Sequence, residues 1–372
     1  MKQNILNNVS FVSIPFLFVV LAPPLSNYKF YGQLSFGDIL IFLFCLSLIF
    51  NFKTTVIGFN VVVAAVVISI VSLFFVYDVG LHAGFYRTIF YYILFIILIT
   101  QKDLRLRSFF RIYTFFAILF SISIIFQWFI YVAFGISIPL QLSAGFYEPD
   151  TLKVIDHVYR SGGWFKEPSY FVLYVTPLLF FLLEEKRFLS YFVISIAALL
   201  STSSLFFFIF ILSIINVMIR NKIYFLAFLF VFSTVFSIVL FFLEDLVGWI
   251  FIRRVVDIFQ NGGTLQDRLL SSLDIVYLSK DFFSNNSIYL FFVGGGLEGA
   301  AWYSSFSSIL AALGWAGVLL IVLSFFRLGF IFGFIFLAFM LTTHIFSGVY
   351  SIFIALAFMG INSYRSPPFS CG

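Results

Sequence analysis

Between Arg160 and Tyr170 the chain reads Arg-Ser-Gly-Gly-Trp-Phe-Lys-Glu-Pro-Ser-Tyr. Arg160, Lys166 and Glu167 thus place charges of both signs in one short polar run. A guanidinium offers a planar fork of donors matched to the oxygens of a phosphate or diphosphate, and an ammonium adds a point charge. A carboxylate beside them can orient the guanidinium or take a proton from an attacking hydroxyl. Gly162 and Gly163 let the backbone come close to a ligand, and they serve equally to make a turn. Proline suits a first helical turn, and an acid just before it is favoured by the helix dipole. Glu167-Pro168-Ser169 therefore reads either as a helix start or as the acidic part of a site.

Arg253, Arg254 and Arg268 share the guanidinium chemistry. With Arg160 and Lys166 they form a candidate basin for a diphosphate. For Arg253 and Arg254 the simpler reading leads: long cationic side chains that snorkel to lipid headgroups. Arg160 and Arg268 adjoin glycine turns and helix starts, which favours a site. His157 is a candidate for a binding or basic role, although an isolated loop histidine is more often incidental. Glu148-Pro149-Asp150 imitates the acid-x-acid pattern of metal-dependent glycosyltransferases, but metal sites want several carboxylate or imidazole ligands and no third is evident. No metal and no cofactor is expected. A Gly-x-x-x-x-Gly-Lys-Ser/Thr segment is missing from the sequence, so no internal nucleotide hydrolysis is expected.

The elements that must position these residues are greasy. The chain of 372 residues is 62% hydrophobic and only 10% charged, where a soluble domain keeps roughly 25% charged residues. One soluble core is thereby excluded, and the expected fold is an all-α polytopic membrane protein. Apolar stretches of bridging length mark about twelve transmembrane helices, near 7–22, 37–52, 54–77, 86–100, 111–135, 169–183, 188–202, 204–219, 223–242, 303–326, 328–343 and 345–361. The pairs at 188–219 and 328–361 have such short joints that either reads also as one bent span, which leaves ten as the alternative. Pro23-Pro24 is expected to end the first, uncleaved span. The whole of 1–372 reads as a single integral membrane domain.

Charge sets the expected topology. Gln101 to Arg111 holds Lys102, Arg105, Arg107 and Arg111 against Asp103 alone, so this short loop is placed in the cytoplasm, with both termini. Two outer segments, 136–168 and 243–302, are too long for simple turns; loops beyond roughly 12–15 residues are usually functional or disordered. In the second, Thr264 and Asp267 have capping-box spacing, which predicts a helix over 265–279 carrying Arg268 near its start. The spans hold almost no ionisable residues, which argues against a proton- or ion-coupled pump; Asp38 is expected to be interfacial. The basic balance is spread over short loops rather than gathered on a face, so nucleic acid is not an expected partner. Cys45 and Cys371 fall in different environments and predict no disulfide framework.

In this order of features the chain resembles the bacterial O-antigen polymerase and O-antigen ligase superfamily. Arg160 to Ser169 is similar to the Arg-x-x-Gly-x-Phe-x-Glu-Pro-Ser pattern of the polymerases' third periplasmic loop. Asp267-Arg268 resembles the arginine that opens a helix in the second long loop. Phe292 to Leu297 resembles the apolar-Gly-x-Gly turn, and Ile309 to Leu320, with Gly314 and Gly317, the span that follows. The likeness covers the topology throughout and specific residues in about 150–180 and 260–320. It implies a metal-independent fold of the GT-C kind in the bacterial inner membrane. The implied activity joins undecaprenyl-diphosphate-linked oligosaccharide repeat units on the periplasmic face, with Arg160, Arg268 and Glu167 as catalytic residues and Lys166, Arg253, Arg254, Gly162, Gly163 and His157 as substrate contacts. Membrane lipid, a chain-length regulator and a flippase are the further partners implied. Ligases carry a histidine in the second long loop; Glu298 to Ser308 has none, which favours polymerase over the alternative of a ligase acting on lipid A-core. A lipid-linked sugar flippase or other transporter is the second alternative.

Overall fold

A computed structural model describes residues 13–31, 34–50, 53–75, 83–101, 106–136, 138, 154–155, 158–159, 161–165, 167–201, parts of 203–216, 305–328, 330–342 and 345–365. Within these the architecture is all-α apart from two very short hairpins. The helices are α1 (Ser13–Leu25), α2 (Phe36–Phe50), α3 (Val56–Phe75), α4 (Ala83–Thr100), α5 (Arg107–Phe134), α6 (Pro168–Glu184), α7 (Phe188–Leu200), α8 (Ser305–Leu328), α9 (Phe330–Thr342) and α10 (Tyr350–Arg365). A single 3₁₀ turn, Ile345–Ser347, separates α9 from α10. Strands β1 (Lys29–Tyr31) and β2 (Leu34–Ser35) pair antiparallel, as do β3 (Val154–Ile155) and β4 (Val158–Tyr159). The expected spans at 204–219 and 223–242 fall wholly or mostly outside the described residues, as does the whole of 243–302.

Among the described residues, two helices are long and apolar enough to cross a membrane, over Val56–Leu73 and Ser108–Phe134. Neither behaves as the core helix of a soluble protein: only 22% and 28% of their windows are buried. On α5 the exposed large side chains include Phe115, Leu119, Ile122, Phe126, Phe129 and Val132, a three-four spacing that makes one continuous apolar stripe. Such a stripe costs free energy against water and none against hydrocarbon. The other apolar helices are shorter, from Ile14–Leu25 to Tyr350–Asn362.

Packing divides the chain into two compact units, 1–112 with 264–372, and 113–263, with the division inside α5. In the first, α4 is the central element and packs against α3, α8 and α10. Its Tyr91, Tyr92 and Phe95 are fully buried, and Phe95 stacks on Phe336 and meets Phe346 edge-on. In the second, α5 and α6 are joined by aromatic rings. Tyr113 meets Tyr174 edge-on and donates its hydroxyl to the Tyr174 carbonyl, and Phe120 packs on Phe165 and Tyr174.

Three local features add to the sequence reading. Pro23 and Pro24 lie inside the last turn of α1, which ends just after them at Leu25. The turn is closed by Ser26, whose backbone N–H and hydroxyl both donate to the Pro23 carbonyl. Asp38, in the first turn of α2, is buried within the protein, at 4% exposure. Gly314 does not sit in a regular span: at φ 64° and ψ −168° it breaks α8 in two, in a backbone region open essentially to glycine alone. The hydroxyl of Ser72 on α3 donates to the Ala312 carbonyl beside this break, so a backbone acceptor released by the broken helix is satisfied within the protein.

Candidate active-site turn

The candidate site is built on the turn that enters α6. Gly163 has φ +61°, in the left-handed region, and a Cβ there would lie 2.7 Å from Ile124 Cγ1 of α5. Only glycine meets both the backbone and the packing demand. A Cβ on Gly162 would lie 2.7 Å from the Phe165 carbonyl oxygen, whose residue closes the turn by donating its N–H to the Gly162 carbonyl at 3.0 Å. Ser161, buried, donates its hydroxyl to Gln127 Oε1 and accepts the Gly163 N–H at 3.1 Å. Gln127 Nε2 in turn donates to the Ile138 carbonyl at 2.7 Å. The turn is therefore pinned to α5 by polar contacts at one end. At the other, fully buried Phe165 sits among Phe120, Phe171 and Tyr174, and half-buried Trp164 lies 6.4 Å from Phe120.

Glu167 ends this rigid turn and begins the helix. Its backbone is extended, at φ −137° and ψ 153°, which is the conformation a following proline imposes. Pro168 occupies the first helical turn, where a missing N–H costs nothing. The Glu167 carbonyl accepts the N–H groups of Tyr170 and Phe171. Its carboxylate makes no capping hydrogen bond; it is exposed and accepts only the Ser169 hydroxyl, at 3.1 Å, among the described residues. The backbone of this residue thus does the helix-starting work, and the carboxylate is left facing outward from a fixed position.

Gly162, Gly163 and Glu167 are brought together in this turn. Arg160, Lys166 and His157 lie outside the described residues, as do Arg253, Arg254 and Arg268. Glu148 and Asp150 also lie outside them, and among the described residues no group of three metal-ligating side chains occurs.

A second polar cluster, absent from the sequence reading, lies in the first unit. The Asp38 carboxylate accepts the Ser35 N–H at 2.7 Å, the Ser35 hydroxyl at 2.8 Å and the Tyr91 hydroxyl. Arg87 Nη2 donates to both of its oxygens, at 2.8 and 3.0 Å. Ser35 returns the favour by accepting the Asp38 N–H at 3.2 Å, which makes Ser35-Phe-Gly-Asp38 a capping box at the start of α2. That spacing was visible in the sequence. Its partner signal was Arg87 four residues before Tyr91, which puts both on one face of α4.

Compared with family models, curated proteins and solved structures, the chain matches none.

Proposed function

We propose that this chain is a multi-pass glycosyltransferase of the bacterial inner membrane, with about twelve spans and a GT-C-like arrangement. It joins oligosaccharide repeat units carried on undecaprenyl diphosphate. The observation that carries this reading is the Arg160–Ser169 run, in which Glu167 presents a solvent-facing carboxylate from a turn that Ser161, Gly163 and Phe165 hold rigid. Sites on rigid supports keep reacting groups within productive geometry.

The reaction is a displacement at the anomeric carbon of the growing chain. A hydroxyl oxygen of the incoming unit forms the new glycosidic bond, the bond from that carbon to the diphosphate oxygen breaks, and undecaprenyl diphosphate leaves. The hydroxyl proton passes to a base. Negative charge grows on the departing diphosphate, so fixed cations there stabilise the transition state more than the ground state. Arg160 and Arg268 take that role, with Lys166, Arg253 and Arg254 as further contacts to the carrier. Glu167 orients Arg160 or accepts the proton. Gly162, Gly163 and His157 border the bound substrate.

The test is reconstitution of the purified chain with a defined lipid-linked repeat unit, with and without a chelator. Polymer formed in both arms supports the reading and its independence of a metal. Arg160→Ala and Arg268→Ala should each lower the rate by roughly 10²–10³, and Arg160→Lys should restore only part because it loses the fork. Full-length polymer from both alanine variants at normal protein levels would end the assignment.

A further inference from the structure

The Asp38–Arg87 pair holds more donor capacity than the protein uses. A guanidinium has five N–H donors. One of its nitrogens, Nη2, serves both oxygens of Asp38, and the donors of the others, Nε among them, meet no acceptor among the described residues. Nε is buried without a partner, and a buried donor without an acceptor is costly and calls for an explanation. The carboxylate side of the pair is the opposite case. Asp38 takes donors from Ser35, Arg87 and Tyr91, so its charge is shared with neutral groups and it fixes the guanidinium without saturating it.

The surroundings favour a negative group. Asp38 answers the N-terminus of its own helix, but Arg87 also lies near the starts of α4 and of α10, where Gly348 would bring a Cβ within 3.5 Å of Arg87 Nη2. Helix N-termini carry roughly half a positive charge each, so the corner has an excess of positive potential. The Arg87 side chain keeps 25% of its surface exposed. Beside it on α4, Tyr86 and Phe90 present exposed rings one turn apart. A guanidinium with spare donors next to exposed apolar rings matches an amphiphile that carries an anionic head, better than a free ion.

We infer that Arg87, held by Asp38, binds the phosphate of a lipid whose hydrocarbon chain runs over Tyr86 and Phe90. The lipid is either a bilayer phospholipid or the polyprenyl diphosphate carrier; both present the same phosphate oxygens to the guanidinium. The site is independent of the polymerase reading and stands whichever reaction the chain performs.

The full chain is purified in detergent and loaded with phosphatidylglycerol, diacylglycerol, undecaprenyl diphosphate or undecaprenol, and bound lipid is counted by native mass spectrometry. The phosphate-bearing lipids should bind in preference to their neutral counterparts. Arg87→Gln should remove that preference, weakening phosphate-lipid binding roughly tenfold or more. Tyr86→Ala should weaken all four lipids while the preference remains. Loss confined to undecaprenyl diphosphate identifies the carrier as the ligand, and loss of both phosphate lipids identifies a headgroup site. In the unaltered protein, either phosphate lipid should protect Arg87 from phenylglyoxal, mapped by peptide mass spectrometry, so the outcome does not depend on the variant folding. Equal modification with and without lipid, or an unchanged preference in folded Arg87→Gln, overturns the proposal.

Discussion

The two polar clusters handle a carboxylate in opposite ways. Asp38 is buried and receives hydrogen bonds from three residues, Arg87 and Tyr91 on α4 and Ser35 on strand β2. Glu167 is exposed, and the Ser169 hydroxyl is its sole hydrogen-bond donor among the described residues. In the first cluster the acid is consumed by the fold, and an arginine is left with donors to spare. In the second the fold is made by glycine, serine, phenylalanine and proline, and the acid is left over. The lesson is that a charge serves structure or chemistry according to how many protein donors reach it, and proximity to a helix start does not decide which.

This contrast can be broken most forcefully at Asp38. Asp38→Ala leaves Arg87 without its counter-charge, and removing one partner of a buried pair costs about 3 kcal/mol or more. A large fall in the thermal midpoint of the detergent-purified chain is expected; an unchanged midpoint would show that the pair is not structural. Next in size is Gly163→Ala, which forces a side chain into the left-handed region and against Ile124. It should cost about 2 kcal/mol and loosen the turn, seen as faster proteolysis between α5 and α6. Tyr91→Phe removes one of the donors to Asp38 and should cost about 1 kcal/mol, read in the same thermal assay. The smallest stability change belongs to Glu167→Ala, within about 0.5 kcal/mol because an exposed acid is lost. The contrast sharpens if this variant, as stable as the parent, nevertheless fails to make polymer in the reconstituted assay.

What could be read from the sequence follows the range of the forces involved. The start of α6 was expected at residue 169 and lies at Pro168, because proline and the residue before it act on their own backbone. The glycine turn was legible for the same reason. Most of the described helices begin and end within a few residues of the apolar runs, since backbone buried in apolar surroundings must pair its own N–H and C=O groups. The burial of Asp38 was not legible. Its capping box with Ser35 is local, but Arg87 and Tyr91 arrive from α4, and that docking depends on packing across the unit. Few ionisable residues in the spans argued against a pump, and Asp38 and Arg87 now weaken that argument, although a carboxylate closed in by so many donors is poorly placed to relay protons. The double proline marked the end of α1 to within a turn, since proline cannot continue a helix for long, and Ser26 takes up the Pro23 carbonyl that the last turn leaves open.

The bond from Ser72 to the Ala312 carbonyl spans 240 residues of sequence. A ribosome adding roughly 5–20 residues per second completes α3 on the order of tens of seconds before the carbonyl that its hydroxyl awaits has been made. During that interval the α3 surface destined for α8 is without its partner. The unit holding both helices can close only when α8 has been made, so its assembly belongs to the end of synthesis, while the stretch between its two halves has already had time to fold.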